Sequence, residues 1–443
     1  MRTVFEGRRV VLAGAVVAAW SEHLALLSSV GVTDMMIVAT EGRGVGPMPD
    51  LETVVVEPPE GLTFMDRIHF GITALASPPP EVCEALERFD PNGEALVVGT
   101  FLNTTAELAG RPFVSHRRPE WLALEDKVVV DAFWDRAGID HQPSVVVDLA
   151  DAATAAPELD RGGGTVWAAD AREGFHGGGS QTYWVTGDET RTRAIDGLAT
   201  VCDRVRVMPF LDGIPCSVHG IVLPDGTAVL RPVEMVTLRR GNDFVYAGCA
   251  TFWDPPSSVR RQMRRVARLA GAQLADEVDF RGTFTVDGVV SADGFWPTEL
   301  NPRFGAGINT IARASGLPVL LLNELIAGGH DIGRSSVQLE RELVDGADAH
   351  RGGGTWIHGL PDMPTIEATP VVEGADGFRW ADADGPRTAT VIAGNGFVRC
   401  VYDPATVPIG PSTAPLATRF WDFADRELNT NLGPLVPAPE VLP

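Results

Sequence analysis

The chain has 443 residues, a formal net charge of −23, 44% hydrophobic and 21% charged residues; that is too long for one domain and, at roughly 150 residues each, fits about three in a soluble globular protein. The acidic balance argues against a nucleic-acid partner, whose phosphates reward clustered Lys and Arg, but not against a nucleotide held by a metal and a few local cations. Five cysteines (Cys83, Cys202, Cys216, Cys249, Cys400) show no CxxC spacing, which excludes a disulfide framework and a zinc site and points to a reducing cytoplasm.

Residues 1–118 read as a small α/β unit. Arg8-Arg9 before the apolar run Val10–Trp20 imitate a signal peptide, but Glu6 sits beside them and the run is short, so a buried strand turning at Gly14 is expected instead. RRVVLAG, DMMIVAT, LETVVVE and EALVVGT have the β-branched, bounded pattern of buried strands. Ser21–Val30 and Glu81–Phe89 between them have helical spacing, and the alternation predicts a parallel sheet. Gly42, Gly44 and Gly46 are followed by Pro47 and Pro49 where a dinucleotide-binding helix would start, so they read as a loop. No stretch reaches the length of a transmembrane helix, and no membrane partner is expected.

Further on, Asp126 is placed to cap a helix over Lys127–Ala137 with Val130, Phe133, Trp134 and Ala137 on its buried side, leading to the strand SVVVD. Of the 36 Lys and Arg residues, Lys127 is the one lysine; a compact ammonium kept in an arginine-biased chain suggests a site that guanidinium does not fit. TVWAADAREGFHGGGSQTYWV (165–185) reads as strand, glycine loop, strand, with Gly177, Gly178 and Gly179 exposing backbone N–H groups. Val205–Leu211 is a strand, and a hairpin turning at Pro224-Asp225-Gly226 leads to Arg231, Glu234, Arg239 and Arg240. Such residues usually end as salt bridges; if one arginine here holds a substrate carboxylate, Arg231 and Arg239 are the candidates. Val259–Leu274 is a helix whose Arg261, Arg264, Arg265 and Arg268 form a solvated basic face.

Residues 280–311 carry the densest chemistry. Two β-like runs flank the turn Ala292–Gly294; turning at Asp293–Gly294 brings Asp287 level with Glu299, and Asn301, two further on, shares the face of Glu299. Three oxygen ligands without His or Cys suit a hard cation such as Mg²⁺. Arg303 follows, where a guanidinium grips phosphate or carboxylate. Ile308–Ser315 and Pro318–Ala327 read as short helices. Beyond 346 Gly and Pro are frequent and helical spacing is weak; TATVIA-GN-GFVRCVYD is a hairpin candidate turning near Asn395-Gly396, and GPLVPAPEVLP a loose tail.

Asp287 and, twelve positions on, Glu299-Leu-Asn301-Pro-Arg303-Phe-Gly resemble the metal-binding strand pair of the ATP-grasp superfamily, and Lys127, the glycine loop and Val205–Leu211 follow its order. The resemblance implies a mixed α/β and α+β architecture: a Rossmann-like pre-ATP-grasp domain (1–118), an ATP-grasp fold (119–345, with a glycine-rich lid at about 170–182) and a small β-rich C-terminal domain (346–443). It implies that Lys127 reaches the ATP phosphates, that Gly177, Gly178 and Gly179 cover them, and that Met208, Pro209, Phe210 and Leu211 form the hinge against adenine. Two Mg²⁺ ions, replaceable by Mn²⁺, would be held by Asp287 and Asn301 and bridged by Glu299. Most members carry a second lysine before the lid; here that strand is Val166-Trp167-Ala168-Ala169, and Arg172 is the candidate to act in its place. The implied chemistry is acylphosphate formation and capture by an amine, with Arg303 stabilising the developing charge. The domain order is reminiscent of bacterial peptide and amino-acid ligases of specialised, peptide-antibiotic metabolism. The partners implied are a carboxylate and an amine, as small molecules or peptides, and a homodimer is the one assembly considered. A carboxylase-like enzyme activating bicarbonate and a non-catalytic nucleotide-binding module are the alternatives.

Overall fold

The structure, a computed structural model, describes residues 1–44, 48–170, 179 and 181–440. Its contacts divide the chain into two units, Met1–Trp121 with Pro318–Arg334, and Leu122–Leu317 with Ser335–Pro443.

The first unit holds a parallel sheet of β1 (Arg9–Ala13), β2 (Asp34–Ala39), β3 (Thr53–Val55) and β4 (Leu96–Val98) in the order β3-β2-β1-β4. Val10 to Ala13 are fully buried, as a central strand covered on both faces requires. Gly14 ends β1 at φ +93, a left-handed conformation that suits glycine. Gly42 and Gly44 sit in a loop, as expected; Gly46 lies outside the described residues. Helices Ser21–Ser29, Phe64–Ala76 and Pro80–Phe89 connect the strands, and β5 (Glu107–Leu108) pairs with β6 (Arg111–Pro112). The helix Val319–Ala327, which the sequence reading assigned to the central domain, belongs here: Leu321 and Leu325 pack among Val10, Leu12, Ile37 and Val98.

The second unit holds two antiparallel sheets. The smaller orders β7 (Val145–Asp148), β8 (Thr165–Ala169), β9 (Thr182–Val185) and β10 (Arg204–Pro209) as β7-β10-β8-β9, with Trp167, Val205 and Val207 in its core. The larger sheet contains β11 (Ile214–Leu223), β12 (Gly226–Val229), β13 (Val233–Arg240), β14 (Asp243–Ala250), β15 (Gly282–Ser291) and β16 (Gly294–Asn301), and begins β16-β15-β11-β13-β14. The helix Ser257–Val278 covers it with a stripe of Val259, Met263, Val266, Ala267, Ala270 and Leu274. Gly271 lets that helix close on the sheet: a Cβ there would lie 2.5 Å from Thr227 Oγ1.

Residues beyond 346 do not start a separate layer. β17 (Gly353–His358) pairs with β14, so β18 (Ile366–Gly374), β19 (Gly377–Trp380), β20 (Ala389–Gly394) and β21 (Phe397–Tyr402) extend the same sheet. The helix Ser336–Ala349 crosses the boundary expected at 345. Asn395 and Gly396 form the β20–β21 turn with φ of +52 and +70, as a two-residue hairpin of type I′ demands. Two expectations are corrected. Ala414–Leu428 is a helix, begun by long-range capping: the buried Glu234 carboxylate accepts from Thr413 N at 2.8 Å and Thr413 Oγ1 at 2.7 Å. The tail is packed as far as 437, with Leu435 buried and β22 (Val436–Pro437) paired to β13.

Candidate active site

The site is set by one irregularity. From the β15–β16 turn the ladder runs regularly, Ser291 opposite Gly294 and Gly288 opposite Pro297; it then skips Thr298 and resumes with Asp287 opposite Glu299. A one-residue bulge exchanges the faces of everything beyond it. Without it Glu299 would pair with Val286 on the apolar face. With it, Leu300 faces Val286 in the core, and burying such a side chain contributes about 1.5–3 kcal/mol. Pro297 is tolerated because β16 is the sheet edge.

Asp287 and Glu299 therefore face one another, beside Thr285 and Asn301 on the same side. Ser217 on β11 is the third member of the Asp287 row and donates to Asp287 Oδ1 at 2.5 Å. Asn301 Nδ2 donates to Asp287 Oδ2 at 2.9 Å, while Asn301 Oδ1 accepts from Arg303 Nη2 at 3.0 Å. Desolvation and then the charge of Glu299 raise the Asp287 pKa, against the hydrogen bond from Ser217 and the cations Arg303 and Lys127.

The lone lysine points at this pair: Lys127 Nζ, on a side chain only 10% exposed, lies 3.8 Å from Glu299 Oε1. The expected helix start is corrected, because the helix runs Val130–Ala137 and Lys127 sits in the turn before it, where Asp126 Oδ1 accepts from Val128 N at 3.1 Å. That turn frees Lys127 from helical geometry. Arg303 Nε lies 3.1 Å from Glu125 Oε1.

Other predicted residues fall elsewhere. Arg231 is buried, with Nη2 on Asp254 Oδ1 at 2.5 Å and Nη1 on Asp348 Oδ1 at 2.9 Å; a guanidinium so paired holds the fold together and is corrected as a substrate ligand. Arg239 pairs with Asp212 at 2.6 Å and lies 5.0 Å from the Phe210 ring and 5.3 Å from that of Trp184. Met208 and Pro209 end β10. Phe210 follows with its amide given to Gly164 O at 3.1 Å, so that amide is unavailable to a base, and its ring stacks on Trp184 at 4.1 Å; Leu211 comes next, half-buried. Gly179 is exposed at φ +77. Arg172, Gly177 and Gly178 lie outside the described residues.

Sequence reasoning missed Ser217, Glu125, Tyr246 and Arg206. Tyr246 feels Asp287 and Arg303; desolvation, Cys249 and Asp287 raise its hydroxyl pKa. Arg206 left a signal, a charge inside the apolar strand Val205–Leu211.

Among the described residues no group of three His, Cys, Asp or Glu gathers as a metal site. The donors that do meet are the two carboxylates of Asp287 and Glu299, with the Asn301 side-chain amide beside them, oxygen ligands fit for Mg²⁺ rather than for Zn²⁺. Asn301 must turn its oxygen from Arg303 to join them.

A four-stranded sheet and a large antiparallel sheet, with paired carboxylates on the latter, make the ATP-grasp fold. No protein family matches the chain by sequence, and no curated protein does. By structure, an ADP complex of N5-carboxyaminoimidazole ribonucleotide synthetase aligns over 96% of this chain and 98% of its own at TM-score 0.55 and 13% identity. A biotin carboxylase–βγ-ATP complex from Campylobacter jejuni aligns over 97% and 92% at TM-score 0.56 and 12% identity. An L-amino acid ligase from Bacillus licheniformis aligns over 96% and 98% at TM-score 0.52 and 13% identity. Likeness at such identity shows the fold. Among the described residues no single helix is long and apolar enough to cross a membrane.

Proposed function

We propose that the chain is an ATP-dependent carboxylate–amine ligase, with an amino acid or short peptide as the acid and a place in specialised peptide metabolism. The observation that carries this reading is the facing pair Asp287 and Glu299, with Lys127 3.8 Å from Glu299. Asp287, Glu299 and Asn301 would hold Mg²⁺, which would neutralise charge on the phosphates of ATP. Lys127 supplies a compact charge to the same phosphates. A substrate carboxylate oxygen attacks the γ-phosphorus and ADP leaves; the amine then attacks the acyl carbon and phosphate leaves. Arg303, beside Asn301, stabilises the oxyanion of that second step. No side-chain nucleophile is needed. Five cysteines outside any disulfide, four of them buried, suit a reducing compartment.

The full-length match to an L-amino acid ligase supports the amide-forming reading. The match to biotin carboxylase favours bicarbonate as a second reading, and the absence of a cation in Thr165–Ala169 weighs against it. Hydroxylamine trapping with ATP, Mg²⁺ and a panel of amino acids and peptides separates them. A hydroxamate with ADP supports the ligase. A hydroxamate with AMP refutes the acylphosphate route, and ADP formed with bicarbonate but no hydroxamate favours carboxylation.

A further inference from the structure

The bulge that turns Glu299 toward Asp287 is held from outside its own hairpin. Thr298, the skipped residue, has its carbonyl turned out of the β15–β16 ladder, and that oxygen accepts from Arg206 Nη1 at 2.9 Å. The rest of the Arg206 fork is bidentate on Asp131: Nε to Oδ2 at 2.9 Å and Nη2 to Oδ1 at 2.5 Å. Asp131 lies in the first turn of the helix that follows the Lys127 turn, and also accepts from Ser144. The Arg206 side chain is 2% exposed. One buried guanidinium thus joins three segments: the hinge strand β10, the helix behind Lys127, and the bulge beside Glu299.

Its place in β10 adds a second observation. Arg206 is the cross-strand partner of Ala168, so the two share a face. That face of β8 carries no cation, and the one beside it is committed to Asp131 and Thr298 rather than to open space.

We infer that Arg206 is a positioning residue: by holding the Thr298 carbonyl it fixes the register of β16 and thereby the direction of the Glu299 carboxylate. The inference rests on the ligase reading for the ligand that Glu299 serves, and on the bulge geometry for the rest. A slip of one residue would carry Glu299 to the opposite face and put Thr298 opposite Asp287. Lysine does not replace Arg206, because a point donor cannot serve two carboxylate oxygens and a carbonyl in fixed directions. Groups that orient the ligands of a metal typically change its affinity by about 10–100-fold when removed.

Arg206→Met alone would bury Asp131 unpaired and risk unfolding. The test is therefore the double variant Arg206→Met/Asp131→Leu, which replaces the ion pair by apolar groups, an exchange that is often neutral for stability. Two readouts are taken on the full chain. Hydrogen exchange without nucleotide or metal is expected to quicken in residues 294–301 and to stay unchanged in β11. Mn²⁺ affinity in the presence of a non-hydrolysable ATP analogue, followed by electron paramagnetic resonance, is expected to fall by about 10–100-fold, with Arg206→Lys recovering little of it. A folded double variant with unchanged β16 exchange and parental Mn²⁺ affinity overturns the inference. If the double variant does not fold, Arg206→Lys decides alone: parental exchange and affinity there overturn it equally. Failure of the parent protein to bind Mn²⁺ with the analogue overturns the ligase reading instead, and the exchange result then decides the register role by itself.

Discussion

Glu324 offers a quantitative check on the first unit. Its carboxyl is buried in the helix Val319–Ala327, with Ser115 Oγ donating to Oε2 at 2.8 Å and Asn323 Nδ2 to Oε1 at 3.4 Å. No cation is among the causes of its shift: desolvation dominates over these two hydrogen bonds and raises the pKa from 4.5 to about 8. In the unfolded chain the proton leaves near 4.5, while the folded unit keeps it until about 8. Between those values the unfolded state binds fewer protons, so stability falls as pH rises, by about 1.4 kcal/mol per pH unit. The contribution is fully present below the lower value and lost above the upper one, a total of about 3–5 kcal/mol. Glu324→Gln cannot ionise and keeps an acceptor for Ser115. Hydrogen exchange of the β1 amides reads the opening energy of this unit without assuming that the chain unfolds in one step. Near about pH 5 variant and parent should agree; by about pH 8 the variant should be the more stable by ~3–5 kcal/mol. A difference that does not widen over that range refutes the claim that Glu324 is held neutral by burial.

The second unit yields three more expectations. Glu299→Gln should lower ATP turnover at least about a hundredfold while melting like the parent, because it removes a charge ligand at a partly exposed position; near-normal turnover would refute the metal assignment. Lys127→Arg should cost roughly tenfold or more in kcat/KM for ATP, since a planar fork does not fit where an ammonium sits 3.8 Å from Glu299, and unchanged kinetics would leave the lone lysine without a role. Gly288→Ala places a Cβ 2.3 Å from Trp296 O and 2.6 Å from Phe295 Cε2, opposite the bulge; urea titration should show a loss of about 1–3 kcal/mol, and an unaffected midpoint would mean that the hairpin yields at no cost.

Much of the site was legible because its parts are local. The turn at Asp293 and the Asn395-Gly396 hairpin follow from periodicity and turn chemistry within about twenty residues, while the facing of Asp287 and Glu299 needs the bulge as well. The bulge left a trace too. Phe295 and Leu300 are five apart, an odd number, so a regular strand would send them to opposite faces; both are buried, at 0% and 1%. One extra residue between them reconciles the pattern. The Ala414–Leu428 helix was hidden because its start depends on Glu234, some 180 positions away, and the Val319–Ala327 helix because an apolar stripe does not say which sheet it will cover.

The arginines mark where sequence reasoning ends. Arg206, Arg231 and Arg303 are the same side chain in a chain that uses arginine for all but one of its cations. What separates them is the acceptor that folding brings: Asp131 and Thr298 O for Arg206, Asp254 and Asp348 for Arg231, Glu125 and Asn301 for Arg303. Arg231 finds Asp348 across 117 positions and Arg206 finds Thr298 across 92, separations over which no periodicity carries information. A buried guanidinium with every direction engaged is inert toward ligands; Arg303 differs in lying beside the carboxylate pair, through Asn301. Lys127 is set apart by its residue type alone, and folding brings it 3.8 Å from Glu299; in a composition biased so strongly, the rare residue is the one whose substitution tests most.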